Sequence, residues 1–182
     1  LHTGMEWTGE ELSYLQGPTN VTRMDYASPI FNELVFSLCV EQLLELELPE
    51  RATWIRMLMC ELNRMASHLL FLATNGMDLG AVSMMLYGWR EREEVLRYLE
   101  FVTGLRMNHN FIRPGGVAAD LPDGWQERVL ELCNTVERGA GEFPVGGGGN
   151  AGERLQVDAV LEPLVALGED LERDEVTDPR DR

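Results

Sequence analysis

The sequence predicts a mainly α protein, a helical bundle with little strand. Three observations carry that expectation. Apolar residues recur at helical spacing after Ser28-Pro29, a second stretch from about Glu50 to Ala73 is apolar over most of its circumference, and glycine and proline punctuate the intervals between such stretches. At 182 residues and 45% hydrophobic composition, the chain has enough apolar material for a domain with its own core.

Residues 1–29 contain Gly4, Gly17, Pro18 and Pro29 and read as loop or short irregular structure. Ser28 is then the cap, and Pro29 the first turn, of a helix through "IFNELVFSLCVEQLLEL", with Phe31, Leu34, Val35, Leu38 and Leu43 at helical spacing. Pro49 stops that helix and starts a longer one. The second helix carries Trp54, Leu58, Leu62, Met65, Leu69 and Leu72 nearly all round, as a helix buried in a bundle does. Asn75-Gly76 and Gly80 are expected to break it. A third helix is expected from about Arg90 to Met107, "RPGG" at 113–116 reads as a turn, and "LPDG" at 121–124 opens a fourth helix ending near Arg138. The organisation is thus a helical core over 1–138, a Gly-rich linker over 139–153, and a segment 154–182 that offers one short helix, broken at Pro163, and an acidic tail disordered by composition.

A net charge of −16 excludes the basic stripe of a nucleic-acid binder. All fifteen basic residues are arginine, which codon bias in a GC-rich genome explains. Cys39, Cys60 and Cys133 form no CxxC pair, so they read as free, buried thiols of a reducing compartment rather than zinc ligands or a disulfide framework. No signal peptide is visible, and no uninterrupted apolar run reaches the roughly 18–20 residues that span a bilayer. The chain opens on Leu1 rather than Met, as a processed product or a fragment would.

Several polar clusters invite chemistry, and each has a plainer reading. In "TRMDYASP", the Tyr26 phenol can donate a hydrogen bond and a proton to a carbonyl oxygen that gains electrons, and Arg23 can stabilise a nearby anion. The plainer reading pairs Arg23 with Asp25 in a loop and packs Tyr26 at a rim. In "NGMDLGA", Asp78 lies in an apolar run. It is either a helix cap for the segment beginning at Leu79 or a carboxylate that orients a histidine or holds a proton. His68 reads as a satisfied core or interface histidine, because no second His or Cys stands at metal spacing. "WREREEVLR" reads as a solvated helix start paired at i,i+3 and i,i+4. In "RMNHNFIRPGG", Asn108, His109 and Arg113 either face a polar site or satisfy a turn around Gly115 and Gly116.

Taken in order, "HTGMEW", "YLQG", "VTRMDY", "NE", "PERA", "ELNRMASHL", "MDLGA", "REREEVL", "TGLRMNHNFIRPGGV" and "DLP" resemble the quinone-site subunit of the proton-pumping NADH–quinone oxidoreductase, respiratory complex I. The likeness runs from Leu1 to about Gly124. It implies a helical core of the nickel–iron hydrogenase large-subunit type that lacks the metal site. Where those enzymes carry Arg-x-Cys-x-x-Cys, this chain has Asp25 and Ser28 at the two thiolate positions, and without soft sulfur ligands no nickel–iron centre is held. The resemblance implies a quinone in the vacated cavity, with Tyr26 as the tyrosine that hydrogen-bonds its head group and Asp78 as the acid that supports a head-group histidine. It places Arg23, Asn108 and His109 near the terminal iron–sulfur cluster of a neighbouring subunit. The chain would bind no metal of its own; NADH and the iron–sulfur clusters belong to partner subunits, and further partners sit in the membrane arm.

Three departures from the family are expected to matter. The hairpin that supplies the head-group histidine would precede Leu1. Asn108 stands where the family often has a histidine, and losing a titratable donor beside a cluster lowers its potential, which favours menaquinone over ubiquinone. The stretch after about Gly124 no longer resembles the family and reads as a truncated, frameshifted or divergent end. The expected activity is electron transfer from the partner's cluster to a quinone, coupled to proton translocation, at the cytoplasmic side of a bacterial membrane and peripheral to it. The rival readings are a truncated, non-catalytic interaction module, inactive alone and a poor monomer, and a membrane-bound hydrogenase large subunit, against which the missing cysteine pairs argue.

Overall fold

The structure, a computed structural model, describes residues 3–140, and over that span the chain is mainly α-helical. The linker and tail expected over 139–182 lie outside the described residues, apart from Gly139 and Ala140. Those two close the last helix rather than begin a linker. The described residues divide into two compact units, 3–63 with 99–122, and 64–98 with 123–140.

The first unit opens on two short helices where irregular structure was expected, α1 (Met5–Glu11) and α2 (Gly17–Val21). Pro18 lies in the first turn of α2, where its missing N–H costs nothing. The loop 22–28 leads into α3 (Pro29–Leu44), which begins on proline as expected, although Ser28 makes no side-chain capping bond. Its start is held from elsewhere: the Ile30 N–H donates to Asn63 Oδ1 at 3.3 Å. At its far end Glu45 turns left-handed (φ 51°), and the Leu46 N–H donates to the Glu41 carbonyl.

Helix α3 is turned the opposite way from an ordinary amphipathic helix. Its buried residues include Glu33, Ser37 and Glu41, a polar line at i, i+4 and i+8, while Val35, Leu38 and Leu43 are 61%, 46% and 77% exposed. The partners of that polar line explain the inversion. Glu33 Oε2 accepts the N–H groups of Phe111 and Ile112, both at 2.9 Å, and Oε1 accepts that of Asn110 at 2.6 Å. The Ser37 hydroxyl lies 3.5 Å from the Ile112 carbonyl. Glu41 takes a bidentate pair from Arg56, at 2.6 and 3.0 Å, and the Gly115 N–H at 2.8 Å. Arg56 in turn donates to the carbonyls of Gly116 and Arg113. These bonds secure a two-residue hairpin, β1 (Ile112–Arg113) against β2 (Gly116–Val117), at the expected "RPGG" turn. A buried pair of this kind adds little by itself, but losing one member strands the other charge at a cost of about 3–5 kcal/mol.

Helix α4 (Glu50–Asp78) runs five residues beyond the expected end, and its first part contributes Ile55, Leu58, Met59 and Leu62 to the core of the first unit. Helix α5 (Val82–Thr103) starts eight residues earlier than expected, and its last turn adds Leu99 and Val102.

The second unit comprises the rest of α4 and α5 with α6 (Trp125–Ala140). Neither Asn75-Gly76 nor Gly88 breaks a helix, because both glycines serve close packing. A Cβ on Gly88 would lie 2.7 Å from the Ala73 Cβ, and one on Gly76 would lie 2.8 Å from the Met84 Cβ. The turn between the helices is made by Gly80, at φ 96°. Helix α6 buries Val129, Leu132, Cys133 and Val136 at helical spacing, and the Tyr98 hydroxyl, 3.3 Å from the Trp125 carbonyl, donates to it. "WREREEVLR" is therefore mid-helix and not a solvated start. Glu91 and Arg92 are buried, Arg90 pairs with Glu91, and the guanidinium groups of Arg90 and Arg92 lie over the rings of Tyr87 and Trp89.

Candidate functional site

The loop between α2 and α3 presents the cluster that the sequence singles out. Arg23, Asp25 and Tyr26 are exposed, with Ser28 half-buried at the helix start. The expected Arg23–Asp25 pair does not form. Arg23 donates instead to the Thr19 carbonyl one helical turn back, and Asp25 Oδ1 accepts the Ala27 N–H at 2.9 Å, a local turn that holds the loop open. The Tyr26 side chain is 70% exposed, and its hydroxyl has no hydrogen-bond partner among the described residues. Its donor and acceptor are free for a ligand or a partner surface.

Asp78 lies in the second unit as the last residue of α4 and is exposed. It does not cap a helix at Leu79, since α5 begins at Val82. His68 is exposed on α4, which removes the core half of the core-or-interface expectation. Among the described residues, no group of three or more His, Cys, Asp or Glu could hold a metal ion. Of the thiols, Cys60 and Cys133 are buried as expected and Cys39 is exposed; none of the three is in a disulfide.

The segment before the hairpin is more constrained than a simple turn. Asn108 and Asn110 both have left-handed backbone, at φ 55° and 49°, a conformation that asparagine tolerates better than most residues. Between them His109 points inward. It is buried, its Nε2 lies 3.2 Å from the Arg106 carbonyl, and its Nδ1 has no partner. Burial pushes the imidazole down to about 4 against the pull of that carbonyl, so His109 is neutral near pH 7. Burial likewise pushes the Glu33 carboxyl up to about 7, against the opposing pull of the Ile112, Phe111 and Asn110 N–H groups. For Glu41, burial is outweighed by the Arg56 pair and the Gly115 N–H, which hold its carboxyl below the ordinary range.

A cavity of about 470 Å³ opens beside the hairpin, lined by residues that include Leu15, Arg51, Ile55, Arg113 and Asp120. Arg51 holds Asp120 at its edge through a 2.8 Å ion pair. Tyr26 is not part of its wall. The described chain thus brings Arg23, Asp25, Tyr26 and Ser28 together on one loop, and Asn108 and His109 together on another segment of the same unit. Glu33, Glu41 and Arg56, which organise that unit, were not among the sequence candidates. The available signal was a line of polar residues, four apart, inside an otherwise apolar helix.

The family model described as respiratory-chain NADH dehydrogenase, 49 Kd subunit, matches residues 78–144. An NADH-quinone oxidoreductase subunit of Mycolicibacterium smegmatis is 61% identical over 140 residues, covering 76% of this chain and 32% of that protein. The likeness is to part of that subunit. Its counterpart in Mycobacterium sp. (strain KMS) is 58% identical over 134 residues, 72% of this chain and 30% of the relative. The counterpart in Salinispora arenicola is 58% identical over 145 residues, 79% and 33% respectively. The chain therefore spans about a third of the length of the curated relatives it matches. The mainly α architecture agrees with that family. No helix among the described residues is long and apolar enough to cross a membrane.

Proposed function

We propose that this chain is the quinone-site portion of its subunit in an NADH–quinone oxidoreductase. In this reading two electrons arrive from an iron–sulfur cluster on a partner subunit, NADH is oxidised elsewhere in the complex, and the quinone takes up two protons to leave as quinol. The Tyr26 hydroxyl donates a hydrogen bond and a proton to a quinone carbonyl oxygen, Asp78 is the supporting carboxylate, and Arg23 stabilises negative charge near the cluster. Asp25 and Ser28 occupy former thiolate positions and leave the pocket without a metal. The reaction is coupled to proton translocation by the membrane arm, and the subunit sits peripherally on the cytoplasmic side of a bacterial membrane.

The observation that carries the proposal is the loop 23–28. It displays a phenol with no hydrogen-bond partner among the described residues, flanked by Asp25 and Ser28 and three residues after Arg23, within a chain 61% identical over the aligned residues to an NADH-quinone oxidoreductase subunit. Tyr26→Phe in the complete subunit tests it. Quinone reductase turnover should fall by about tenfold or more while the complex still assembles. Unchanged turnover with both short-chain and native quinones would overturn the role. Asn108, in place of a titratable donor, supports a low-potential acceptor such as menaquinone. A redox titration of the cluster in the assembled enzyme that returned a high, pH-dependent potential would refute that part.

A second reading has support in the outward apolar residues of α3, which suit a chain that serves only as an interaction module. The reading frames adjoining this one separate the two, because an ordinary subunit requires the remaining two thirds of the protein to be encoded there.

A further inference from the structure

The Asn108–His109 segment does not hold its own shape. Two of its residues, Asn108 and Asn110, are left-handed, and His109 between them leaves one ring nitrogen without a partner. Within the segment, His109 Nε2 lies 3.2 Å from the Arg106 carbonyl and Arg113 Nε donates to the Asn110 carbonyl at 3.0 Å. Three consecutive N–H groups, those of Asn110, Phe111 and Ile112, instead converge on the single carboxyl of Glu33, which is fully buried. Three donors aimed at one carboxyl fix the direction of three successive peptide planes, and so the exit of the segment from Asn108 and His109. Glu33 stands one helical turn after Pro29, where the Tyr26 loop enters α3, and that entry is itself pinned by the Ile30 bond to Asn63.

We propose that Glu33 is a positioning residue of the quinone-reducing site, locking the segment that carries Asn108 and His109 to the helix that the Tyr26 loop feeds. The inference rests on the function proposed above and adds to it a mechanical link between its two groups of residues. The carboxyl touches neither quinone nor cluster. It acts through the backbone, so changing it should alter how well the site is assembled in each turnover and not whether quinone binds. Glutamine cannot replace it, because one carboxylate oxygen becomes an NH₂ group facing N–H donors. Aspartate keeps both oxygens but withdraws them by one methylene.

The test uses the full-length subunit in the assembled complex, with Glu33→Gln and Glu33→Asp, and reads two quantities per assembled enzyme. Hydrogen exchange of the backbone amides at Asn110–Ile112 should accelerate by about tenfold or more in Glu33→Gln. Over the same variant, kcat should fall several-fold with the KM for quinone unchanged, and Glu33→Asp should recover part of both. Should Glu33→Gln yield no complex, Glu33→Asp carries both readings, with smaller changes in the same directions. Native exchange at these amides overturns the inference. So does accelerated exchange with native kcat, which would make Glu33 a folding residue alone. Tyr26→Phe measured alongside keeps the two ideas apart: native turnover there removes the proposed site, whatever the exchange data report for Glu33.

Discussion

Glu33 and His109 are two buried groups whose protonation opposes one another, and the pH dependence of stability reads both. Burial raises the Glu33 carboxyl from 4.5 to about 7, and burial lowers the His109 imidazole from 6.5 to about 4. Between pH 4.5 and 6.5 the folded chain keeps a proton on Glu33 that the unfolded chain has released, so stability falls as pH rises, by about 1.4 kcal/mol per unit. Over the same window folded His109 lacks a proton that the unfolded chain carries, which gives an equal rise. The Glu33 contribution is complete below pH 4.5 and gone above about 7, whereas that of His109 is complete above 6.5 and gone below about 4. In the native chain the two slopes cancel. Removing either group unmasks the slope of the other: whatever its absolute stability, Glu33→Gln should become more stable by about 3 kcal/mol as pH rises from 4.5 to 6.5, and His109→Gln less stable by a similar amount, where these two groups leave the native profile flat. Urea unfolding at half-unit pH steps measures this, and subtracting the native profile removes the carboxylates common to both chains. Variant profiles that run parallel to the native one would refute the reasoning.

Three further outcomes follow from contacts described above. Arg56→Met should destabilise the fold by about 3–5 kcal/mol by stranding Glu41, and adding Glu41→Leu should return most of that loss, as paired denaturation curves will show. Gly88→Ala places a methyl 2.7 Å from the Ala73 Cβ and should cost about 1–3 kcal/mol by the same measurement, whereas Gly9→Ala, on the open face of α1, should not. Alkylation followed by mass spectrometry should label Cys39 well before Cys60 and Cys133, since Cys39 is exposed and burial pushes the Cys133 thiol up to about 11.

Helix α6 was legible because "LPDG" at 121–124 opens it, and the start of α3 because Pro29 announces it. The ends of α4 and α5 were not. Gly76 and Gly88 carry the local mark of a chain break, and only the neighbouring helix shows that they are small for the sake of contact. The orientation of α3 was hidden for a related reason. The buried carboxyl of Glu33 is satisfied by backbone groups 77 to 79 residues further along, and that of Glu41 partly by one 74 residues on, separations that no local pattern reveals. The loop 23–28 was found by its composition, yet the reading of Arg23 and Asp25 as an ion pair failed because each takes a backbone partner instead, Arg23 the Thr19 carbonyl and Asp25 the Ala27 N–H. Glu33, Glu41 and Arg56 escaped notice because a charged residue on a helix is ordinarily assigned to solvent.

The reversed α3 separates two tasks that one helix usually combines. Its glutamates keep the fold together from within, so the aliphatic side chains at 35, 38 and 43 are left with no part in holding it. Repainting those three positions with polar groups should leave the folded piece intact and more soluble, while any larger assembly that relies on that surface would fail to form. Substitution along its outward face can therefore change the surface of this helix without unfolding the chain, whereas replacing its glutamates acts on the fold itself.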